Sequence, residues 1–427
     1  MKNHFTPRFH TLKILALTLA LLAIASTNLG AKEVELRGMF RSYTGMQLKS
    51  ADLAVNEQTI DLTLESWGDQ SRLVINPYAY IGIGNEPELG IREAYVDFLL
   101  DTIDIRIGKQ AIIWGQAEGA FITDIVSPRD LRSFILSDFR EIRKGIPAVK
   151  VDYYTGAFTL EGIWIPRFVP TSMPAEDSLW RQKPSLLPGA DITPLPAQLP
   201  DSSLENSELF GKIRYFGSKI NWEIMGGYAW NDSPHIISLT VTSPGPPVTA
   251  EATQAYGRYA VFGGSLSATL GSMVLRSEAA LYVDKPFSLV VPGMPPTISV
   301  EKHHQLQTLV GLDWNLWGID LSAQYLFSYV FNHTSGLIDQ GKQLPEFSHT
   351  FTFRMQDTFL DDRLTAKLFV YMEGSPLNAL IRPALSWSIE DGVLLEGGLE
   401  LFVGDEAGTF GSFTDNSLAY ASLRWYF

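Results

Sequence analysis

Apolar and polar residues alternate along most of the chain after residue 32. In one segment, Ile319, Leu321 and Ala323 alternate with Asp320 and Ser322. A period of two residues is typical of a β-strand whose two faces meet different environments. About eighteen such segments recur, each of roughly ten residues, the length that a tilted membrane strand requires.

The connections between these segments alternate between short and long. Tight turns are predicted near Gly68, Leu100, Gly217, Gly271, Asn315, Asp361 and Asp391. Long connections are predicted at 45–57, 115–145, 166–206, 231–253, 285–302, 331–346 and 405–415. Three of these, 166–206, 231–253 and 285–302, hold 16 of the 24 prolines, which cannot donate to a β-ladder. Short periplasmic turns and long extracellular loops indicate an all-β, transmembrane, antiparallel up-and-down β-barrel of about 18 strands, with about 16 as the alternative count.

The N-terminus predicts a secretory signal. Lys2, Arg8 and Lys13 form a basic region before the apolar run 14–25, and a plausible cleavage site follows Ala31. We therefore predict a signal peptide at residues 1–31 and an outer-membrane β-barrel at 32–427. Nowhere else does the sequence hold an apolar run of about 18 residues, so membrane-spanning helices are not expected.

The last strand supports the same compartment. Ala419, Ala421, Leu423 and Trp425 share one face with Phe427, and a final strand that ends in phenylalanine is similar to the signal that the barrel-insertion machinery reads. This predicts a location in the outer membrane of a Gram-negative-type bacterium, in contact with membrane lipid and lipopolysaccharide. Tryptophans near predicted strand ends are expected to form interfacial girdles: Trp67, Trp114, Trp164, Trp230, Trp314, Trp317 and Trp387.

Strand parity places many charged residues on the face opposite the lipid. An arginine or lysine that faced lipid at the bilayer midplane would cost about 2–4 kcal/mol, so these residues are expected to face a lumen. They carry both signs, which suits either a wet lumen or wall ion pairs, and those on neighbouring strands are expected to pair. The predicted inward residues are Arg37, Arg41, Asp61, Glu65, Arg72, Glu93, Asp97, Asp104, Arg106, Lys212, Arg214, Glu223, Arg276, Glu278, Asp313, Asp320, Arg354, Lys367, Arg382, Glu396, Glu400 and Arg424.

Residues 102–144 combine a strand with a charged segment. Ser127–Lys144 is predicted to be a short helix in the loop after the fifth strand, with Ser127 as N-cap and Pro128 in the first turn. Its apolar face carries Leu131, Ile135, Phe139 and Ile142, and its basic face carries Arg129, Arg132, Arg140, Arg143 and Lys144.

This predicted helix has two alternative positions. On the surface it would expose its arginines to lipopolysaccharide phosphates. Inserted into the lumen, it would aim them across the pore and favour anionic solutes, because a low-dielectric constriction focuses the field of fixed charges. We prefer insertion, which gives these predicted pore and constriction residues: Arg106, Gln110, Glu93, Asp97, Arg129, Arg132, Arg140, Arg143 and Lys144.

The same region carries a resemblance to a known family. The motifs are Arg92-Glu93-Ala94-Tyr95-Val96-Asp97, Arg106-Ile107-Gly108-Lys109-Gln110, Trp114-Gly115 and Ser127-Pro128-Arg129-Asp130. They resemble a family of porin-like outer-membrane proteins of unknown function, which is similar to alginate-export-type porins that share an Arg-x-Gly-(Arg/Lys)-Gln strand. The match covers roughly residues 90–170, and the C-terminal half shares only the barrel pattern. An alginate exporter would be expected to line its pore with basic residues, whereas this chain places both signs there.

Other classes of function find less support. The chain has no cysteine, and its net charge is −14, or −17 without the signal peptide (30 basic against 47 acidic residues). We therefore expect no thiolate metal site, no cofactor and no nucleic-acid partner. Asn332-His333-Thr334-Ser335 has a His-x-Ser spacing similar to that of outer-membrane phospholipases, but it lies in a predicted loop. His333 is therefore interpreted as a loop histidine.

The sequence thus predicts a porin-like channel, not an enzyme, that passes a small or amphiphilic solute. The alternative is an outer-membrane outlet or structural partner of an inner-membrane export system. A phospholipase is the remote third possibility.

Overall fold

The computed structural model describes residues 33–82, 87–115, 117, 119, 121–136, 141–176, 178–181, 190–243, 245, 248–291, 293, 297–374 and 376–427. The predicted signal peptide lies outside these residues. Within them, no helix is long and apolar enough to cross a membrane.

Eighteen strands of the described residues form the wall of a barrel. They are β1 (Glu33–Gln47), β2 (Leu53–Trp67), β3 (Ser71–Gly82), β4 (Glu88–Leu99), β5 (Ile103–Gln110), β6 (Ile146–Thr155), β7 (Phe158–Ile165), β9 (Glu208–Phe216), β10 (Ile220–Trp230), β13 (Arg258–Leu270), β14 (Met273–Val291), β15 (Thr297–Leu316), β16 (Ile319–Val330), β19 (Phe347–Phe359), β20 (Leu364–Gly374), β21 (Leu377–Glu390), β22 (Val393–Gly404) and β23 (Leu418–Tyr426).

The shorter elements lie in the connections. β8 (Ala190–Pro194), β11 (His235–Ser243) and β12 (Val248–Ala255) form a separate three-stranded sheet, and β17 (Leu337–Asp339) pairs with β18 (Lys342–Gln343). Two 3₁₀ helices occupy Leu204–Asn206 and Gly411–Asn416.

The barrel closes between its first and last strands. Each wall strand pairs antiparallel with its neighbours, and β1 pairs with β23 from Met39 opposite Tyr426 to Gln47 opposite Leu418. Just beyond this ladder, the Gly38 amide donates to the Phe427 carbonyl at 2.7 Å and the Phe427 amide donates to the Gly38 carbonyl at 2.9 Å. The predicted all-β barrel of eighteen strands is therefore confirmed.

The two ends of the barrel differ as the sequence predicts. Eight turns of two to four residues lie at the end that also holds the start of β1 and the end of β23. The long connections lie at the opposite end, which we call the loop end. The prediction of a loop at 285–302 is wrong, because β14 and β15 extend through most of this range. Pro286 lies beyond Val283, where the ladder between β13 and β14 ends, so that ladder needs no amide from it.

The two faces of the wall differ in polarity. Along β7, Glu161 and Ile163 are buried, whereas Leu160 and Trp164 are 40% and 38% exposed. Similar alternation leaves large apolar side chains exposed on the outer face around the barrel, which suits contact with lipid: Ile60, Ile107, Ile213, Ile224, Phe262, Val310, Phe351, Leu385, Leu395 and Trp425.

The predicted helix at Ser127–Lys144 is wrong. The Asp130 amide donates to the Ile142 carbonyl at 2.6 Å, and the Lys144 amide donates to the Pro128 carbonyl at 2.8 Å. The two ends of the segment thus pair with each other, which a continuous helix does not allow. Phe134, with a φ of 56°, reverses the chain between them. Residues 137–140 of the predicted helix, which include Phe139 and Arg140, lie outside the described residues.

Candidate functional site

The connection between β5 and β6 folds into the barrel. We call its described residues from 111 to 136 the inserted segment. The Trp114 indole donates to Glu161 at 2.5 Å, and the Thr123 hydroxyl donates to Glu278 at 2.7 Å. The Tyr282 hydroxyl donates to the Ile122 carbonyl at 2.8 Å.

Glu161, Glu278 and Tyr282 lie on the inner face of the wall, because their neighbours along β7 and β14 alternate with them toward the exposed face. The segment therefore lies inside the barrel, in an irregular conformation. Apolar packing reinforces these hydrogen bonds: Ile112, Ile122, Ile125 and Val126 form one buried cluster with wall residues such as Ile163, Phe210 and Val261.

Trp114 does not belong to an interfacial girdle, contrary to the prediction. It is 1% exposed, and its ring meets Phe210 edge to face at 5.8 Å between centroids. The Lys212 ammonium lies 4.7 Å from its ring centroid. Trp114 points inward because β5 ends at Gln110, and the chain turns into the barrel near Gly115, whose φ is 79°.

Two of the predicted pore residues hold the start of the inserted segment. Gln110 is fully buried and donates to the Ala148 carbonyl at 3.0 Å. The Glu93 carboxylate accepts a hydrogen bond from the Ala111 amide at 2.7 Å. Both side chains therefore fix where the chain leaves the wall.

A ladder of alternating charges crosses five neighbouring strands on the inner face. Arg37 and Arg72 each lie 2.8 Å from Glu65, and Arg72 lies 3.7 Å from Asp97. Arg106 binds Asp97 through two hydrogen bonds of 2.6 and 3.1 Å. The predicted pairing across strands is confirmed for Asp97 and Arg106, which also lies over the Tyr95 ring at 4.0 Å.

Similar pairs occur elsewhere on the inner face. Arg276 lies 2.5 Å from Asp313, and Arg382 lies 2.7 Å from Glu400. Several of these side chains stay in contact with solvent, since 32% of the Arg276 side chain and 56% of the Arg37 side chain are exposed. The lumen face is therefore charged, of mixed sign, internally paired and partly hydrated.

The described residues of the predicted basic face have separate partners in the structure. Arg132 binds Asp130 at 2.6 Å and Glu88 at 2.6 Å, and Arg143 binds Asp124 at 2.6 Å. The three other residues of the predicted basic face form no such ion pair or are not described. Lys144 donates to the Pro170 carbonyl at 2.7 Å, Arg129 lies over the Phe121 ring at 4.1 Å, and Arg140 is outside the described residues.

The charges of this stretch nearly cancel. Residues 121–144 contain five basic and four acidic residues, a net charge of +1. Contacts also shift the pKa of several groups. Burial raises the pKa of the Asp124 carboxyl, opposed by Arg143 and by the Trp114 amide. Burial lowers the pKa of Lys144, whereas hydrogen bonding to Asp130 raises that of Arg132.

Two connections cross the lumen toward β21–β23. Phe134 of the inserted segment packs against Phe402 and Phe413, with ring centroids 6.1 and 4.9 Å away. Trp180, from the connection after β7, meets the same two rings at 5.7 and 6.0 Å. Arg382 donates to the Leu136 carbonyl at 3.1 Å. Aromatic side chains from both connections thus meet at β22 and the 3₁₀ helix that follows it.

Sequence reasoning missed two anchors of the inserted segment. Glu161 was not among the predicted inward residues, although its alternation with Leu160 and Trp164 carries that signal. Tyr282 was missed because a tyrosine suits either face of a barrel strand. Glu278 was placed inward, but its partners, 155 and more residues away in sequence, carry no local signal.

Three of the histidines have structural partners. His333 Nε2 lies 2.7 Å from the Leu344 carbonyl, which assigns that nitrogen the role of donor. His303 lies 3.1 Å from Glu301, and His304 Nδ1 accepts a hydrogen bond from the Asp284 amide at 3.2 Å. Across the part of the chain that the structure describes, no group of three or more His, Cys, Asp or Glu residues could hold a metal ion.

A closed, antiparallel, eighteen-stranded barrel with a charged inner face and an inserted connection has the architecture of a porin. Residues 83–372 match the family described as a protein of unknown function (DUF1302), and the chain belongs to this family. This match extends well beyond the motifs around residues 92–130 that carried the resemblance. No curated protein matches the sequence.

Solved structures share the fold at low sequence identity. OccK2 (OpdF) of Pseudomonas aeruginosa is 11% identical with a TM-score of 0.55, and the match covers 93% of this chain and 98% of that chain. OccK8 (OprE) of the same organism is 10% identical with a TM-score of 0.53, and the match covers 93% of this chain and 98% of that chain. A BenF-like porin from Pseudomonas fluorescens Pf-5 is 8% identical with a TM-score of 0.52, and the match covers 93% of this chain and 99% of that chain.

Proposed function

We propose that the protein is an outer-membrane channel that passes a small or amphiphilic solute through a charged lumen narrowed by the inserted segment. The observation that carries this proposal is the contrast between the two faces of the wall. Large apolar side chains are exposed on the outside, whereas partly hydrated ion pairs line the inside. That contrast suits lipid on one side and water on the other.

The proposed location in the outer membrane is supported by the same contrast between the two faces of the wall. A closed barrel leaves no unpaired strand edge in lipid. The surrounding partners are membrane lipid and, at the loop end, lipopolysaccharide. Phe427, which closes the barrel beside Gly38, is the residue through which the insertion machinery would engage the last strand.

The narrowing is proposed to select by shape more than by charge. Residues 112–126 of the inserted segment pack against the wall from β6 to β15, and Phe134 reaches Phe402 of β22. The ladder of Arg37, Glu65, Arg72, Asp97 and Arg106 lies on β1 to β5. Since the described basic residues have partners and the stretch carries a net charge of only +1, a strong anion preference is not expected.

Conductance of the purified, refolded protein in planar lipid bilayers tests this function. Discrete, steady openings of small amplitude at moderate voltage support a channel with a narrowed lumen. A barrel that inserts but never conducts, across voltage and ionic strength, overturns it. That result would favour the alternative, an outlet or structural partner of an inner-membrane export system, which opens only with its partner.

A further inference from the structure

Six aromatic rings, counting the imidazole of a histidine, cluster on the loop-end halves of β16 and β19. They occupy three successive rows in which both ladder partners are rings. We call this set the ring patch, and its members are Tyr325, Phe327, Tyr329, Phe347, His349 and Phe351. The ring patch lies on the lipid-facing side of the wall, because Phe351 is 43% exposed whereas the next residue, Thr352, is 5% exposed.

The ring patch forms one continuous layer. Neighbouring members have ring centroids 4.9 to 6.2 Å apart, which are the distances of stacked and edge-to-face pairs. Beside His349, the neighbouring strand β20 carries Gly374, which has no side chain. The ring patch is therefore a packed surface that is open on the flank of His349.

One hydrogen bond lies within the ring patch. The Tyr325 hydroxyl oxygen and His349 Nδ1 are 2.7 Å apart, and both side chains are exposed. If the hydroxyl donates, His349 Nε2 keeps its N–H group, and if Nδ1 donates, Tyr325 keeps its O–H group. In either case one donor has no partner among the described residues. A donor that faces hydrocarbon unpaired is costly, so a lipid that supplies an acceptor here gains a hydrogen bond.

This pair lies just inside the apolar band of the membrane. β16 has 12 residues, and with a rise of about 3.4 Å per residue and a tilt of about 45° it spans about 26 Å along the membrane normal. The apolar band is about 25 Å tall, so the row of Tyr329 and Phe347 lies near its boundary at the loop end. His349 lies about 5 Å deeper by the same geometry, where the headgroup of a lipid joins its acyl chains.

Two basic side chains lie above the ring patch on β15. The Phe331 amide donates to the His304 carbonyl at 2.9 Å, which places His304 about 10 Å above His349. Lys302, two residues further along, shares the outer face with His304 by strand alternation. Lys302 is exposed and makes no ion pair within the described residues. It therefore offers a positive charge at the height of a lipid headgroup.

Two acidic side chains lie near the same rim. Asp284 Oδ1 is 3.7 Å from His304 Nδ1, so the aspartate offsets any charge on that histidine. Glu346 precedes Phe347 and, by strand alternation, lies on the inner side of the wall. Lys302 is thus the cation of this rim that is available to a phosphate.

From these observations we propose that the ring patch binds the lipid A part of a lipopolysaccharide molecule. An acyl chain lies across the rings, the donor of the Tyr325–His349 pair binds an oxygen where the chain joins the sugar, and Lys302 binds a phosphate. Lipopolysaccharide fits better than a phospholipid, because its sugar-linked chains carry amide and hydroxyl groups besides esters. This inference rests on the proposed function in one respect, namely that the loop end faces the outer leaflet.

Native mass spectrometry of the mature protein, refolded in detergent micelles, tests the site with deep-rough lipopolysaccharide and with dipalmitoylphosphatidylglycerol. We expect one saturable lipopolysaccharide adduct per barrel, and binding of phosphatidylglycerol that is at least tenfold weaker. The double change Tyr325→Phe and His349→Phe keeps both rings but removes every donor of the pair, and should weaken lipopolysaccharide binding about tenfold. Lys302→Gln removes the charge and should weaken it about threefold.

Matched controls separate the site from general effects of substitution. Tyr228→Phe removes a hydroxyl that is 52% exposed on the outer face of β10, and Lys219→Gln removes a charge at the opposite end of the barrel. Both are expected to bind lipopolysaccharide like the wild type. Heat-modifiable mobility in gels should show a folded barrel for every variant, because each change affects an exposed side chain.

Three results would overturn the proposal: no saturable lipopolysaccharide adduct, equal binding of the two lipids, or an adduct that the double change leaves unweakened. A barrel dimer that the double change abolishes would also overturn it, because the ring patch would then bind a second copy of the chain. Conductance in bilayers without lipopolysaccharide keeps the two proposals apart. Openings without an adduct contradict the lipid site alone, and an adduct without openings contradicts the channel alone.

Discussion

Trp114 and Glu161 join the inserted segment to the barrel wall through a hydrogen bond of 2.5 Å, 47 residues apart in sequence. The indole is 1% exposed, and Glu161 also lies 3.1 Å from Arg214 and 3.5 Å from Lys150. A charged acceptor shared between a loop and two basic wall residues couples the position of the loop to the wall.

Trp114→Phe should loosen the inserted segment. The substitution retains most of the aromatic packing but removes the donor to Glu161, at a cost of about 1–3 kcal/mol for a hydrogen bond to a charged group. We expect larger or noisier single-channel conductance, measured in planar bilayers at fixed salt. Trp164→Phe, on the exposed face of β7, is the matched control and should conduct like the wild type. Identical recordings for all three proteins would mean that the hydrogen bond does not restrain the lumen.

Charge reversal of the stretch 121–144 should change ion selectivity. Arg132→Glu, Arg140→Glu and Arg143→Glu together change its net charge from +1 to −5. The reversal potential in a potassium chloride gradient should move toward cation selectivity, whereas the wild type should show only weak preference. Lys219→Glu, at a tight turn between β9 and β10, is the control. An unchanged reversal potential in the triple variant would show that these residues do not line the conducting path.

The Asp97–Arg106 pair should contribute to the stability of the folded barrel. A double-mutant cycle with Asp97→Asn and Arg106→Gln should give a coupling energy of about 1–3 kcal/mol, because the pair is bidentate and Asp97 is 5% exposed. The measurement is the free energy of unfolding by urea in lipid vesicles. The exposed Lys49–Asp415 pair, with side chains 69% and 72% exposed, is the control, and its coupling should stay below about 1 kcal/mol. Equal couplings would refute a structural role for the ladder.

Phe427 should matter for assembly more than for conduction. Its backbone pairs with Gly38, and its ring meets Trp425 at 4.9 Å between centroids. Phe427→Ser should lower the amount of folded protein in the outer membrane several-fold, measured by heat-modifiable mobility in gels of membrane fractions. Phe359→Ser removes an equally exposed aromatic residue at the end of β19 and should have little effect. Comparable losses in both variants would point to general destabilisation rather than to recognition of the last strand.

The barrel itself could be predicted from sequence because its determinants are local. Alternation along strands such as Ile319–Val330 and the parity of short and long connections both repeat many times, so single errors matter little. The loop predicted at 285–302 is an exception, because β14 and β15 extend through most of it. A cluster of prolines there was interpreted as the absence of strands, although Pro286 lies on β14 beyond the end of its ladder with β13.

The conformation of the stretch 127–144 could not be predicted from the sequence. The period of its apolar residues suited a helix, yet Phe134 packs against Phe402 and Phe413 across the lumen, and Ile142 accepts a hydrogen bond from Asp130. Contacts with distant wall strands decide the conformation of a segment surrounded by protein, and they override local propensity. The partners of Trp180 in β22 and in the following 3₁₀ helix likewise have no local signal.

The central claim is that the inserted segment lies in the lumen and narrows it. It is tested most directly by the single-channel conductance of a variant in which residues 112–143 are replaced by a short Gly-Ser linker between β5 and β6. We expect an intact, heat-modifiable barrel whose conductance rises several-fold over that of the wild type. An intact barrel with unchanged conductance would show that the segment does not narrow the lumen.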